Sequence, residues 1–344
     1  MSVKQTWMKQ EAAEAAQIIH HQFEQNALLM RQLGARLRAT PPKLVLTCAR
    51  GSSDHAAGFA KYVIETRLET LVASHAPSTS SIFATPLRHL DGVLFLVISQ
   101  SGKSPDILTS MRFARQAGAY VVAMVNDALS PAAQEADVFI PLHAGPERAV
   151  AATKSYIASL AAILHLVGEW AEDSQLLTAL AKASEPVRAA FDADWTKFSE
   201  TLLSARSLFV IGRGITFGIA HEMALKLKET SGLHAEAFSA AEVRHGPMAI
   251  VESGFPVLMI APQDAAAGGY AALSEEFTAR HAQVFSSGGP FPGAYELPTP
   301  KGLHPLILPL CQVTSFYACA EALARARGRN PDSPPWLKKV TETH

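Results

Sequence analysis

The sequence predicts an α/β protein built from two tandem, doubly wound parallel sheets, each covered by helices in a three-layer α/β/α arrangement. Three observations carry this. Short continuous apolar runs end in glycine turns and pass into helical patterns, the alternation that specifies a parallel sheet. One such run, Leu44 to Gly51, returns as Leu208 to Gly214 roughly 160 residues later with the same Arg-Gly turn, the signature of an internal repeat. The length, 344 residues, suits two domains of ~150 residues plus some helical packing.

Taken in order, Trp7 to Arg38 carries apolar residues at helical spacing (Ile18, Ile19, Phe23, Leu29, Met30, Leu33, Leu37) and is closed by Pro41-Pro42, which predicts one or two opening helices. Leu44 to Cys48 is a buried strand, Ala49-Arg50-Gly51-Ser52-Ser53 a turn, and Ala56 to Leu68 a helix. The pattern recurs in Val93 to Ile98, the turn Ser99-Gln100-Ser101-Gly102-Lys103-Ser104 and a helix to about Ala117, and Tyr120 to Val125 and Val138 to Leu142 add strands. Ser174 to Ser204 is polar and helix-prone with a break at Glu185-Pro186, a helical linker between the copies. In the second copy Pro256 to Ile260 answers Val93 to Ile98, and the helical run Pro305 to Ala324 answers Tyr156 to Trp170. Pro331, Pro334 and Pro335 exclude regular helix from the tail. The expected organisation is N-terminal helices over 1–42, a first α/β domain over 43–172, a linker over 173–204, a second α/β domain over 205–328 and a tail over 329–344.

Thirty basic residues against thirty-one acidic ones leave a net charge of -1, which removes the footprint of a nucleic-acid or anionic-membrane binder. No apolar run approaches the ~18 residues of a membrane span, and the N-terminus lacks the apolar centre of a signal peptide, so a cytoplasmic protein is expected. Cys48, Cys311 and Cys319 show neither disulfide-framework nor metal spacing, no His-x-x-x-His pattern occurs, and no metal or cofactor is expected.

Ligands of open parallel sheets sit beyond the carboxyl ends of the strands, where loop amides and helix N-termini favour negative charge. Ser99 to Ser104 combines hydroxyls, an amide, a glycine and a helix start, the chemistry of a cradle for a phosphate monoester. The same residues would also serve as a helix-capping cluster. The neighbouring Gly51-Ser52-Ser53 turn tips the balance toward phosphate. The matching turn of the second copy, Ala261-Pro262-Gln263-Asp264, has no serine and carries an acid, so one phosphate is expected, in the first copy. Glu222, Lys226 and Glu229, spaced i, i+4, i+7, place two carboxylates and an ammonium on one helical face behind the second Arg-Gly turn. Such a face is ordinarily solvated surface, but here it borders the expected crevice, where a carboxylate suits proton transfer and Lys226 can keep it ionised or form a structural ion pair. His245, before Gly246-Pro247, is a loop histidine suited to acid/base work near neutral pH.

Together Ser99-Gln100-Ser101-Gly102, Val150-Ala151-Ala152-Thr153-Lys154, Ala224 to Glu229, His234-Ala235-Glu236, His245-Gly246-Pro247 and the terminal Leu337-Lys338-Lys339-Val340-Thr341 resemble the sugar isomerase (SIS) family, whose domains are flavodoxin-like. The likeness is strongest to the isomerase half of the glutamine:fructose-6-phosphate aminotransferases and to the SIS-type glucosamine-6-phosphate deaminases. It implies a phosphate site at Ser99, Gln100, Ser101 and Ser104, with Ser52, Ser53 and Val150 touching the phosphosugar. It implies that Glu229 moves a proton between C1 and C2 and that His245 opens the ring from a neighbouring subunit in a homodimer. It also implies that Lys339, with Lys338 beside it leaving the register open, reaches the open-chain carbonyl from the tail. Ala152 stands where the aminotransferase pattern has serine. With only ~40 residues before the first domain, too few for a glutaminase domain, the degradative direction is expected: glucosamine 6-phosphate to fructose 6-phosphate and ammonia. Galactosamine 6-phosphate, a deglycase substrate, a nitrogen-free aldose-ketose pair and a non-enzymatic sugar-phosphate sensor are the alternatives.

Overall fold

A computed structural model describes residues 5–339. The opening segment is a single helix, α1 (Trp7–Ala39), followed by β1 (Leu44–Cys48), α2 (Ser52–Leu68), β2 (Val72–Ser74), α3 (Pro77–Ser81), β3 (Val93–Ser99), α4 (Pro105–Gln116), β4 (Tyr120–Val125), α5 (Pro131–Glu135), β5 (Val138–Pro141) and α6 (Lys154–Ala171). Then come α7 (Ser174–Ala181), α8 (Ser184–Phe191) and α9 (Thr196–Thr201), and the second alternation: β6 (Ser207–Gly212), α10 (Ile215–Ser231), β7 (His234–Ser239), β8 (Pro256–Ile260), α11 (Tyr270–Ala279), β9 (Gln283–Ser287), β10 (Tyr295–Glu296) and α12 (Leu308–Ala326).

The strands form two all-parallel sheets, ordered β2-β1-β3-β4-β5 and β7-β6-β8-β9-β10. The two orders are the same topology, strand for strand, so the sequence repeat is a repeat of architecture. In each sheet the order reverses next to the first strand, between β1 and β3 or β6 and β8, which is where open sheets leave a crevice for ligands. The turns at these places share a backbone conformation as well as a sequence: Gly51 has φ 55° and ψ -131°, Gly214 φ 59° and ψ -130°. A side chain is strained there, and glycine lets the chain leave the strand and enter the helix at once. For this reason α2 begins at Ser52, four residues before the apolar pattern that announces it.

The chain divides into two compact units. Among the described residues, one comprises Gln17–Glu147, Lys154–Lys182 and 338–339; the other comprises 5–16, Arg148–Thr153 and Ala183–Leu337. In the first, all seven residues of β3 are buried and so are most of α6, which makes strand and helix the centre of that core. Gly34 of α1 lies against α6, where a Cβ would come 2.7 Å from the Glu169 carbonyl carbon, and Arg38 donates to the Glu169 carbonyl. In the other unit Phe209, Ile211, Val257, Met259, Tyr270 and Phe277 form the sheet's core with α11. The expected linker is three short helices, and Pro186 opens no gap between them: it sits in the first turn of α8, where the missing N–H costs nothing. The tail is non-helical, as its prolines dictate, and Asp332 caps α1 by accepting from the Trp7 and Met8 amides at 2.9 and 2.8 Å. No helix among the described residues is long and apolar enough to cross a membrane.

Candidate active site

At the carboxyl edge of the first sheet, β1 and β3 run side by side from Leu44 opposite Val93 to Cys48 opposite Val97, so the turns that follow them are neighbours. Ser52 and Ser53 open α2 directly after Gly51, and Ser99 to Ser104 joins β3 to α4. The second loop is closed upon itself: Ser99 Oγ accepts from the Gly102 amide at 3.0 Å and Ser101 Oγ from the Lys103 amide at 3.3 Å. A hydroxyl that accepts from the backbone keeps its own hydrogen to donate, which suits it to an anion. Ser104 occupies the N-cap position of α4, yet its side chain makes no capping bond. Capping alone therefore does not account for this serine. Gly102 has φ 63°, and a Cβ there would lie 2.3 Å from Ser130 Oγ and 2.7 Å from Val125 Cγ1. The glycine is required by the packing beneath the loop as well as by its backbone. Lys103 is engaged away from the loop by Asp127 at 2.8 Å, and this ammonium, with the Leu129 amide, holds the Asp127 carboxyl below its ordinary range.

In the same unit lies Lys339. Its Nζ donates to Glu147 Oε2 at 3.1 Å. Glu147 is buried and also accepts from the Ser155 amide and hydroxyl at 3.1 and 2.7 Å, so this carboxylate orients the lysine from the base of α6. Lys338 beside it is exposed, and Lys339 is the lysine that meets Glu147. Val340 and Thr341 of the terminal motif lie outside the described residues.

In the other unit the face of α10 is buried. Lys226, 1% exposed, donates to Glu229 Oε2 at 2.6 Å and lies 3.5 Å from Glu222 Oε1. Glu222, 0% exposed, also accepts from the Tyr317 hydroxyl of α12 at 2.9 Å. A solvated surface face is thereby excluded. Buried charges persist only when paired and hydrogen bonded, and here the chain Tyr317, Glu222, Lys226, Glu229 is continuous, with only its last carboxylate partly exposed (21%). His245 does not join it. It stands exposed between two 3-10 turns, Glu242–Arg244 and Pro247–Ile250, its amide donating to the Glu242 carbonyl. Arg244 next to it forks onto Glu276 of α11 at 2.8 to 3.1 Å, which fixes the loop that carries the histidine. Val150, half-buried, donates its amide to the Asp332 carbonyl at 3.0 Å.

The SIS domain model matches residues 40–167 and 201–286, more than half of the chain, taking in the first sheet and the second up to β9. The chain belongs to the SIS domain family. A glutamine--fructose-6-phosphate aminotransferase [isomerizing] from Zymomonas mobilis is 33% identical over 315 residues, covering 86% of this chain and 51% of the relative. The chain thus spans about half the length of the curated relatives it matches. A protein from Silicibacter pomeroyi assigned as a phosphosugar isomerase is 42% identical, covers 95% of this chain and 100% of its own, and superposes with a TM-score of 0.91. A glucosamine-6-phosphate deaminase from Thermotoga maritima is alike in fold, with a TM-score of 0.80 at 22% identity over 97% of this chain and 99% of that one.

Within this SIS chain the structure gathers the predicted residues into groups. Ser52, Ser53, Ser99, Gln100, Ser101 and Ser104 share one sheet edge, Lys226 and Glu229 are in direct contact, Lys339 is held by Glu147, and among the described residues no hydrogen bond joins His245 or Val150 to any of them. Sequence reasoning overlooked Glu147, Ser155 and Tyr317. A glutamate eight residues before a serine and a tyrosine deep in an apolar helix carry no motif, and only folding joins them to their partners. It also overlooked the pairing of Arg50 with Asp106, for which no spacing rule exists.

Proposed function

We propose that the protein is a phosphosugar aldose-ketose isomerase acting on an amino sugar, a glucosamine-6-phosphate deaminase that yields fructose 6-phosphate and ammonia. The observation that carries this is Glu229: a carboxylate anchored from behind by a buried ammonium, with its other side open, is built to take and return a proton at a fixed place. In this reading Ser99, Gln100, Ser101 and Ser104, with Ser52 and Ser53, bind the phosphate, and Val150 contributes to the sugar contact. Holding the phosphate fixes the reacting carbons at a constant distance from it.

His245 of a second subunit assists opening of the pyranose by taking the proton of the anomeric hydroxyl and delivering one to the ring oxygen as the bond from C1 to that oxygen breaks, and a homodimer with shared sites follows. The exposure of His245 agrees with a role outside its own subunit's core. Glu229 removes the C2 proton, acidified by the C1 aldehyde, and returns it to C1. This leaves an imine at C2, and water adds to its carbon and expels ammonia, leaving the ketone of fructose 6-phosphate. The ion pair of Lys339 with Glu147 suits an ammonium that stabilises the oxyanion at C1, since condensation with a carbonyl needs a free amine lone pair.

The test is incubation with glucosamine 6-phosphate in deuterated water. Stoichiometric ammonia is expected, with solvent deuterium at C1 of fructose 6-phosphate to the extent that the proton held by Glu229 exchanges with water during the transfer, and Glu229→Gln losing both by about 10³-fold, within the 10²–10⁴ span typical of acid-base groups. No ammonia from glucosamine 6-phosphate, with release from galactosamine 6-phosphate or a fructosamine 6-phosphate, would reassign the substrate. Full turnover by Glu229→Gln would remove the mechanism.

A further inference from the structure

Arg50 lies in the turn after β1, beside the serine loop that follows β3. Its Nε and Nη2 both reach Asp106 Oδ2, at 2.8 and 2.7 Å. Asp106 is the second residue of α4, two positions beyond Ser104, and its side chain is 1% exposed whereas that of Arg50 is 47% exposed. The guanidinium therefore covers the buried carboxylate from the solvent side. Because both bonds run to one oxygen through Nε and Nη2, the N–H groups of Nη1 are left for another acceptor.

Two comparisons within the chain sharpen this. The serine loop's own cation, Lys103, is taken by Asp127. The equivalent arginine of the second copy, Arg213, donates instead to the Gly268 carbonyl at 3.4 Å, and the loop across from it has no serine. The arginine locked by a carboxylate is the one next to the hydroxyls.

We propose that Arg50 is the cation of the phosphate site, held by Asp106 so that Nη1 donates to a phosphate oxygen of the sugar phosphate. This rests on the phosphosugar reading above and adds to it the charge that the hydroxyls lack. A phosphate dianion gathered only by serines, amides and a helix N-terminus meets partial charges alone, while a guanidinium fixed on one side by a carboxylate presents its remaining donors in a set direction with little left to order on binding. The pair has a second consequence. Asp106 in the first turn of α4 would by itself repel an anion at that helix end, and Arg50 neutralises it.

The experiment is calorimetric titration of fructose 6-phosphate and of inorganic phosphate into the 344-residue chain, its Arg50→Lys and Asp106→Asn variants, and the double variant Arg50→Gln/Asp106→Asn. The double variant removes both charges together and so leaves no buried carboxylate unpaired, which keeps it folded. Loss of a charge-assisted bond predicts that the double variant binds fructose 6-phosphate ~10 to 100-fold more weakly, with KM raised in proportion and kcat within ~3-fold of wild type. Arg50→Lys, which keeps charge and loses the fork, is expected between the two. Wild-type affinity and KM in the folded double variant, or a fall in kcat with affinity unchanged, would overturn the assignment and leave Arg50 a strap between two turns. A wild-type protein that binds neither fructose 6-phosphate nor phosphate would instead remove the phosphosugar reading itself.

Discussion

Replacing Lys226 by methionine tests the buried charge chain most directly. The ammonium sits 2.6 Å from one carboxylate oxygen and 3.5 Å from another. At an effective dielectric of ~20, those separations correspond to attractions of about 6 and 5 kcal/mol, most of it offset by the cost of taking three charges out of water. Methionine matches the stem of the lysine and supplies no charge. Glu222, fully buried, would then keep the Tyr317 hydroxyl but lose the ammonium. Removing one member of a buried ion pair typically costs about 3–5 kcal/mol, which for a unit of this size lowers the midpoint of thermal unfolding by roughly 10 °C. The decisive comparison is Lys226→Met against Lys226→Met/Glu222→Gln, followed by circular dichroism on heating. The double variant should recover at least about 2 kcal/mol, because the uncompensated charge is gone and an amide still bonds to Tyr317. Turnover should fall by ~10²-fold in both, since Glu229 loses its anchor either way. A single variant as stable as wild type, or a double variant less stable than the single, would refute the account of this face as a paired, buried network.

Other outcomes follow from the same structure. Because His245 is exposed and its ring makes no hydrogen bond among the described residues, His245→Ala should melt like wild type yet lose turnover; if the histidine serves a neighbouring subunit, mixing it one to one with Glu229→Gln and allowing exchange should restore roughly a quarter of the wild-type rate, and no recovery would place the histidine in its own subunit's site. His165, buried in α6 and stacked on Phe23 at 4.4 Å with neither ring nitrogen hydrogen bonded, is pushed by burial from 6.5 to about 4. A base whose folded pKa is depressed binds fewer protons than in the unfolded chain, so it weakens the fold as pH falls from 6.5 toward about 4. The loss amounts to roughly 3 kcal/mol. Urea unfolding at pH 7 and pH 4.5 should show this loss reduced in His165→Leu, and equal pH dependence in the two proteins would contradict it. Gly102→Ala should destabilise by about 1–3 kcal/mol, since the new methyl meets Ser130 and Val125 and φ is positive, and should weaken binding of inorganic phosphate; a variant with unchanged melting would show that the loop yields easily.

Much of the architecture was legible in the sequence because a parallel strand buried on both faces reads as an unbroken apolar run. Val93 to Ile98 and Pro256 to Ile260 need no partner to be recognised. The repeated Arg-Gly turn likewise revealed the duplication before any strand order was known. Boundaries were less legible where the backbone rather than the side chains sets them: α2 starts at Ser52 because Gly51 turns the chain at once, and Pro186 lies inside a helix start instead of breaking one. The serine loop could be read as a phosphate cradle or a helix cap, and it was the missing side-chain bond at Ser104 that counted against capping alone.

By itself the amino-acid order determined which elements form, that they form twice, and which residue types stand ready at the ends of the strands, since periodicity and turn chemistry are local. Tertiary structure decided what those residues face. Glu222, Lys226 and Glu229 have the spacing of any solvated helix; only the packing of α12 over α10, with Tyr317 reaching Glu222, makes them a buried charge network whose last carboxylate is partly exposed. Lys339 and Glu147, 192 positions apart, and Arg50 and Asp106, 56 apart, find one another through the fold alone. Electrostatic pairing depends on distance in space and on exclusion of water, and neither is written in the spacing of residues along a chain.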